Sequence, residues 1–150
     1  MIERLLDSPE VTQQLGARFA ELAYPGTVLS LNGPLGAGKT CFAQGVGQGL
    51  DIEGPVTSPT FILCAVYPDA RMPFYHADFY RLGDASELVE LGLDEVMGAE
   101  GFSLVEWGDR FAEALPADHI RVTLEDVGPT VRRLTATAHG PRSRALLERL

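Results

Sequence analysis

Apolar residues near the start of the chain recur at helical spacing: Val11, Leu15, Phe19 and Leu22. This periodicity predicts a helix over 7–26, with Ser8 as N-cap, Pro9 at the first helical position and Pro25-Gly26 as the stop. The pattern then changes. TVLSLNG, at 27–33, is a short apolar and β-branched run that predicts a strand leading straight into a glycine-rich turn. KTCFAQGVGQGL, at 39–50, reads as a second helix although Gly45, Gly47 and Gly49 each cost up to ~1 kcal/mol relative to Ala. Small residues there are expected to let that helix lie close against a sheet.

The turn-rich EGPVTSPTF, at 53–61, precedes two predicted strands, FILCAVYP (61–68) and MPFYHADFYRL (72–82), joined around Pro68-Asp69. DASELVELGLDEVM, at 84–97, predicts one helix. Asp84 and Glu87 match a capping box, and Leu88, Leu91 and Val96 form an apolar stripe. GFSLVEWG (101–108) reads as a buried strand and DRFAEAL (109–115) as a short helix. Residues 119–140 alternate as a hairpin turning near Gly128-Pro129, and PRSRALLERL (141–150) predicts a closing helix. No repeat or low-complexity segment interrupts the pattern, so the expectation is one domain over 1–150. Its fold class is α/β: a P-loop-type mixed sheet with helices on both faces.

Composition changes this picture only in its partners. The chain has 150 residues, with Lys plus Arg 12, Asp plus Glu 21 and a net charge of −9. Such a surface repels phosphate backbones at long range, which argues against tight unaided binding of nucleic acid and favours a basic partner protein. The most continuous apolar run, FILCAVY, is too short to cross a bilayer, and the first ten residues carry no apolar stretch of signal-peptide length. Cys41 and Cys64 form no CxxC pair and are expected to be reduced thiols of a cytoplasmic protein.

The chemistry begins at LNGPLGAGKTCF, residues 31–42. Gly33, Gly38, Lys39 and Thr40 have the spacing G-x-x-x-x-G-K-[ST], set between a predicted strand and a predicted helix, which is the context this phosphate clamp needs. Glycines let several N–H groups turn inward around phosphate oxygens, and the following helix adds its positive end. Lys39 places an ammonium on the phosphates, and Thr40 offers a hydroxyl to Mg²⁺. The expected nucleotide-binding set is Gly33, Leu35, Gly36, Ala37, Gly38, Lys39, Thr40 and Cys41. No N-K-x-D guanine signature occurs, so ATP is the expected nucleotide.

Phosphoryl chemistry also needs a carboxylate for the metal and a group that orients the attacking water. Asp78 in FYHADFYRL and Glu106 in FSLVEWG are the candidates, both expected at ends of strands beside the clamp strand. Glu106 follows Phe102, Leu104 and Val105, so it is expected to be buried, where a carboxylate without a partner is costly. The competing reading pairs these acids with Arg81 or Arg110. His76 shares the strand face of Asp78 and reads first as a packed histidine. Trp107 reads either as core or as an aromatic surface by the nucleotide. Ser58, Pro59 and Thr60 form either a plain turn or a switch-like segment sensing the terminal phosphate.

In this order and spacing, GPLGAGKTCF, TSPTF, HADFYRL and LVEWGDRF resemble the TsaE (YjeE) family. The resemblance spans about Leu31 to Phe111. It implies a small Mg²⁺-dependent ATPase needed to make threonylcarbamoyladenosine at adenosine 37 of tRNAs that read codons beginning with A. It implies that Lys39 and Thr40 bind phosphates and Mg²⁺, and that Asp78 and Glu106 are the acids needed for metal binding, with Glu106 assigned as the further metal ligand. Asp78 and Glu106 serve hydrolysis, Ser58 and Thr60 lie in a switch-like loop, and Trp107 lies beside the nucleotide. The implied partners are the TsaB–TsaD heterodimer, through which tRNA is engaged indirectly. Pro34, Cys41 and Gly108 depart from the common pattern, where Asp or Asn, a second Thr and Pro are usual.

Two other functions fit the clamp: a small-molecule P-loop kinase, and a nucleotide-sensing module that does not hydrolyse. A kinase usually needs an arginine-rich lid, and only Arg81 and Arg110 stand next to motif residues. The same scarcity of cations predicts hydrolysis that is slow alone and faster with a partner.

Overall fold

The computed structural model describes residues 1–34, 36–54, 56, 64–80, 82–90 and 92–150. Leu35, Ser58, Pro59, Thr60, Arg81 and Leu91 therefore lie outside the described residues, as does the 61–63 part of the strand expected over 61–68.

The chain opens with β1 (Ile2–Leu6) and α1 (Pro9–Leu22). The Ser8 hydroxyl accepts the Val11 N–H at 3.2 Å, and Pro9 occupies the start of the helix, as its fixed φ favours. β2 (Val28–Asn32) and α2 (Lys39–Gly49) follow, then β3 (Cys64–Tyr67) and β4 (Phe74–Asp78). α3 (Ser86–Glu90) and α4 (Leu93–Val96) precede β5 (Phe102–Glu106), a 3₁₀ segment over Gly108–Ala114, β6 (His119–Asp126), β7 (Arg132–His139) and α5 (Pro141–Glu148).

The strands form one mixed sheet in the order β1-β7-β6-β2-β5-β4-β3. Its middle is parallel: β2 lies between β5 and β6, and β4 runs alongside β5. β3, β7 and β1 are added antiparallel, with β7 forming the expected hairpin with β6. β2 and β5 are buried at every residue, as strands covered on both faces must be. On one face, Leu29, Leu31, Phe102 and Leu104 pack with Phe19 and Phe42 of α1 and α2 and Leu146 of α5. On the other, Val28, Ala77 and Val105 pack with Phe79, Leu88, Leu93 and Met97. The sheet thus has helices on both faces.

Five expectations change. β1 was not expected; its pattern is weak because only Leu6 is buried and Leu5 points to solvent. The helix expected over 84–97 is two short ones, because Gly92 adopts φ 74 and interrupts the backbone ladder. Over 109–115 the chain is 3₁₀ rather than α, with Phe111 off helical geometry at φ −137 and ψ 57. The strand expected over 72–82 spans only Phe74–Asp78, since Phe79 turns away into the second core. Finally, the glycines of α2 serve helix–helix packing. A Cβ at Gly45 would meet the Gln13 carbonyl and one at Gly49 the Ala17 carbonyl, while one at Gly16 would meet that of Phe42. α1 and α2 approach backbone to backbone, and Gly47 instead faces Val56.

Candidate functional site

The site is built at the C-terminal ends of the parallel strands. β2 ends at Asn32, and the glycine turn carries the chain into α2. Gly33 has φ 150, and a Cβ there would press on the Leu124 carbonyl at 2.5 Å. Gly38 caps α2 at φ 103, a left-handed conformation that favours glycine, and no side chain caps this end. The first N–H groups of α2 are therefore left for an outside acceptor, next to the helix's positive end. Thr40 is exposed on the first turn.

Lys39 lies inside the turn and is only 7% exposed. Its Nζ donates to the Gly33 carbonyl and sits 3.8 Å from the centroid of the Trp107 ring. Burial pushes its pKa below the ordinary lysine value, while the charges of Glu106 and then Asp78 act against that shift. Trp107 is half-buried at φ 60, which turns the chain sharply after β5, and its ring also neighbours that of Tyr80, with centroids 5.1 Å apart.

Asp78 and Glu106 are the last residues of β4 and β5 and face each other in register. They are 3% and 4% exposed. Glu106 lies directly beside the clamp strand, opposite Leu31; Asp78 is one strand further out, where the expectation had placed both beside β2. The Tyr80 N–H donates to Asp78 Oδ1 at 2.8 Å. The Arg110 reading for Glu106 does not survive, and Arg81 lies outside the described residues. Arg110 donates instead to the Leu82 carbonyl, at 3.1 and 2.9 Å, and the Glu106 partner is His76, whose Nε2 lies 2.7 Å from Oε2. His76 is fully buried, so it is packed as expected, but it also holds the acid.

Asn32 joins the strand end to the 3₁₀ segment. Its amide donates to Ser30 Oγ at 3.0 Å and the Val122 carbonyl at 3.2 Å, and its Oδ1 accepts the Asp109 N–H at 2.9 Å. Beside the glycine turn lies a cavity of about 220 Å³, lined by Ser8, Thr12, Gly36, Gly38, Cys41 and Thr130 among others. Arg132, also on its wall, donates to the Gly36 carbonyl at 3.2 Å and to Asp126 at 3.2 Å. Sequence reasoning missed Thr12 and Arg132, because the hairpin and the start of α1 reach the turn only through the fold. The alternation over 119–140 and the Gly128-Pro129 turn were the sequence signals that a hairpin tip existed.

The donors Thr40, Asp78 and Glu106 are oxygens, the class a hard divalent cation takes. Mg²⁺ usually keeps several waters and takes one or two carboxylates plus substrate phosphates, so this sparse set suits it. Among the described residues no three His, Cys, Asp or Glu gather as an all-protein cage. No helix among them is long and apolar enough to cross a membrane.

Comparison with known proteins agrees with this geometry. A family profile described as "Threonylcarbamoyl adenosine biosynthesis protein TsaE" matches residues 6–134. The chain is 43% identical to the tRNA threonylcarbamoyladenosine biosynthesis protein TsaE of Bacillus subtilis over 143 residues, covering 95% of this chain and 89% of that protein. It is 38% identical to the TsaE protein of Treponema pallidum over 128 residues, covering 85% and 94% of the two. A crystal structure of Bacillus subtilis YdiB superposes with TM-score 0.87 at 36% identity, covering 99% of this chain and 92% of that one. With sheet order, glycine turn and paired strand-end acids in place, the chain belongs to the TsaE family of tRNA threonylcarbamoyladenosine biosynthesis proteins.

Proposed function

We propose that the chain binds ATP with Mg²⁺ and hydrolyses it slowly as an accessory subunit of tRNA threonylcarbamoylation, acting with the TsaB and TsaD counterparts on adenosine 37 of tRNAs that read codons beginning with A. The observation that carries this reading is the uncapped start of α2 with the Lys39 ammonium held inside the turn, beside two buried strand-end acids. Backbone N–H groups and Lys39 take the phosphates. The cavity against Thr12 and Arg132 continues from the turn and suits the nucleoside end. Mg²⁺, held by Thr40 and Glu106, would supply charge neutralisation at the phosphates. Asp78 and Glu106 hold the water side of the site, with Trp107 closing it next to Lys39.

Partner stimulation rests on the arginines among the described residues, which do not include Arg81. Arg110 is engaged with the Leu82 carbonyl and Arg121 with Asp109, at 2.6 Å in its shortest contact. Arg132 lies at the turn but is shared with Gly36 and Asp126. A cation missing at the transferring phosphoryl group is worth 10³–10⁵ in rate in P-loop enzymes. The test measures ADP production by the chain, by the TsaB–TsaD heterodimer and by the mixture, with binding of a fluorescent ATP analogue in parallel. A mixture faster than the sum of its parts is expected. Additive rates would remove partner stimulation. Transfer of phosphate to a metabolite instead of water would favour a kinase, and no ADP under any condition a nucleotide sensor.

A further inference from the structure

Glu106 is buried, yet among the described residues its carboxylate receives a single hydrogen bond, from His76. The two residues are 30 positions apart in sequence and meet because β4 and β5 run in parallel register. His76 lies opposite Leu104, two residues before Glu106 on the same sheet face. A carboxylate oxygen only accepts, so Nε2 carries the hydrogen. Nδ1 is buried and has no hydrogen-bond partner among the described residues. The ring stacks on Phe74 at 5.8 Å. An apolar ring would fill that space without leaving a buried nitrogen unpaired, so packing alone does not account for histidine here. Lys39 is not a substitute holder, since its ammonium is directed to the Gly33 carbonyl and the Trp107 face. The strand also ends at Glu106, and the backbone turns away at Trp107.

We propose that His76 is a positioning residue that holds Oε2 of Glu106 and thereby leaves the other carboxylate oxygen set for Mg²⁺ on the bound nucleotide. This rests on the reading of Glu106 as a metal ligand given above. Partners behind a metal ligand orient it, and their loss typically costs 10–100-fold in metal affinity or activity.

The experiment titrates Mg²⁺ into the full chain saturated with β,γ-imido ATP, and separately titrates that analogue in EDTA. H76F keeps the ring stack and loses the donor. H76Q can place an amide N–H near the Nε2 position, whereas H76N places one nearer Nδ1. H76F is expected to weaken the Mg²⁺ response about 10–100-fold with the EDTA affinity unchanged, and H76Q to recover most of it. A folded H76F with the wild-type Mg²⁺ response overturns the proposal. If H76F does not fold, H76Q and H76N decide: a stronger Mg²⁺ response in H76Q supports it, and equal responses overturn it. E106Q is the control. If E106Q itself keeps the wild-type Mg²⁺ response, the metal-ligand reading fails and takes this inference with it; if only H76F does, the inference alone fails.

Discussion

The Lys39 ammonium lies over the Trp107 ring, 3.8 Å from its centroid. A cation on an indole face is worth about 0.5–2 kcal/mol. A hydrogen bond between charged groups is worth about 1.5–3 kcal/mol. Phosphates entering the turn should therefore draw Lys39 from the ring. Trp107 is the chain's one tryptophan, so its emission reports this exchange. Binding of β,γ-imido ATP is expected to change Trp107 fluorescence, and K39A to lose both the signal and most of the affinity while remaining folded. Unchanged affinity in a folded K39A would sink the clamp assignment.

The burial of Lys39 has a stability signature. Its pKa in the folded chain lies below the ordinary value, with burial the main cause. Between that lowered value and about 10.4, the unfolded chain binds more protons than the folded one, so wild-type stability rises with pH through that window. Below it, at neutral pH, the full penalty of the buried charge is present. K39M is expected to be more stable than wild type in urea unfolding near neutral pH, with the difference shrinking as pH climbs toward about 10.4. A difference that grows with pH would contradict the assignment.

The two strand-end acids should act on hydrolysis more than on binding. E106A and D78A are each expected to lower ADP production by about 10²-fold or more, as loss of a single preorganised electrostatic group does elsewhere. Affinity for the ATP analogue without Mg²⁺ should stay close to wild type. An acid whose removal leaves the rate unchanged is structural.

Gly45 sets two effects of opposite sign against each other. Alanine gains up to ~1 kcal/mol of helix propensity over glycine. Its Cβ, however, would meet the Gln13 carbonyl, which is helix backbone and cannot swing aside. Overpacking of this kind costs about 1–3 kcal/mol. G45A is expected to lose stability overall, read as a lower denaturant midpoint.

Local chemistry made α1, β2 and the glycine turn legible in the sequence. A Ser-Pro start, a three-to-four residue apolar period and a glycine-lysine spacing each act within a few residues of themselves. The position of Glu106 at a strand end was legible for the same reason, since it closes an apolar run, whereas the strand of Asp78 was expected to run on to Leu82 and ends at Asp78 only in the fold. What sequence could not determine depends on register and on which faces meet. His76 reaches Glu106 only because β4 pairs with β5 in parallel, and Arg132 reaches Gly36 from 96 residues away only because β6 adds beside β2. The glycines of α2 look alike in sequence, but α1, rather than the sheet, fills the space beside Gly45 and Gly49. The strand status of Ile2–Leu6 came from β7, which offers an open edge to a segment with little burial pattern of its own. Short-range signals are encoded where they act, whereas these contacts exist only after the sheet has ordered its strands.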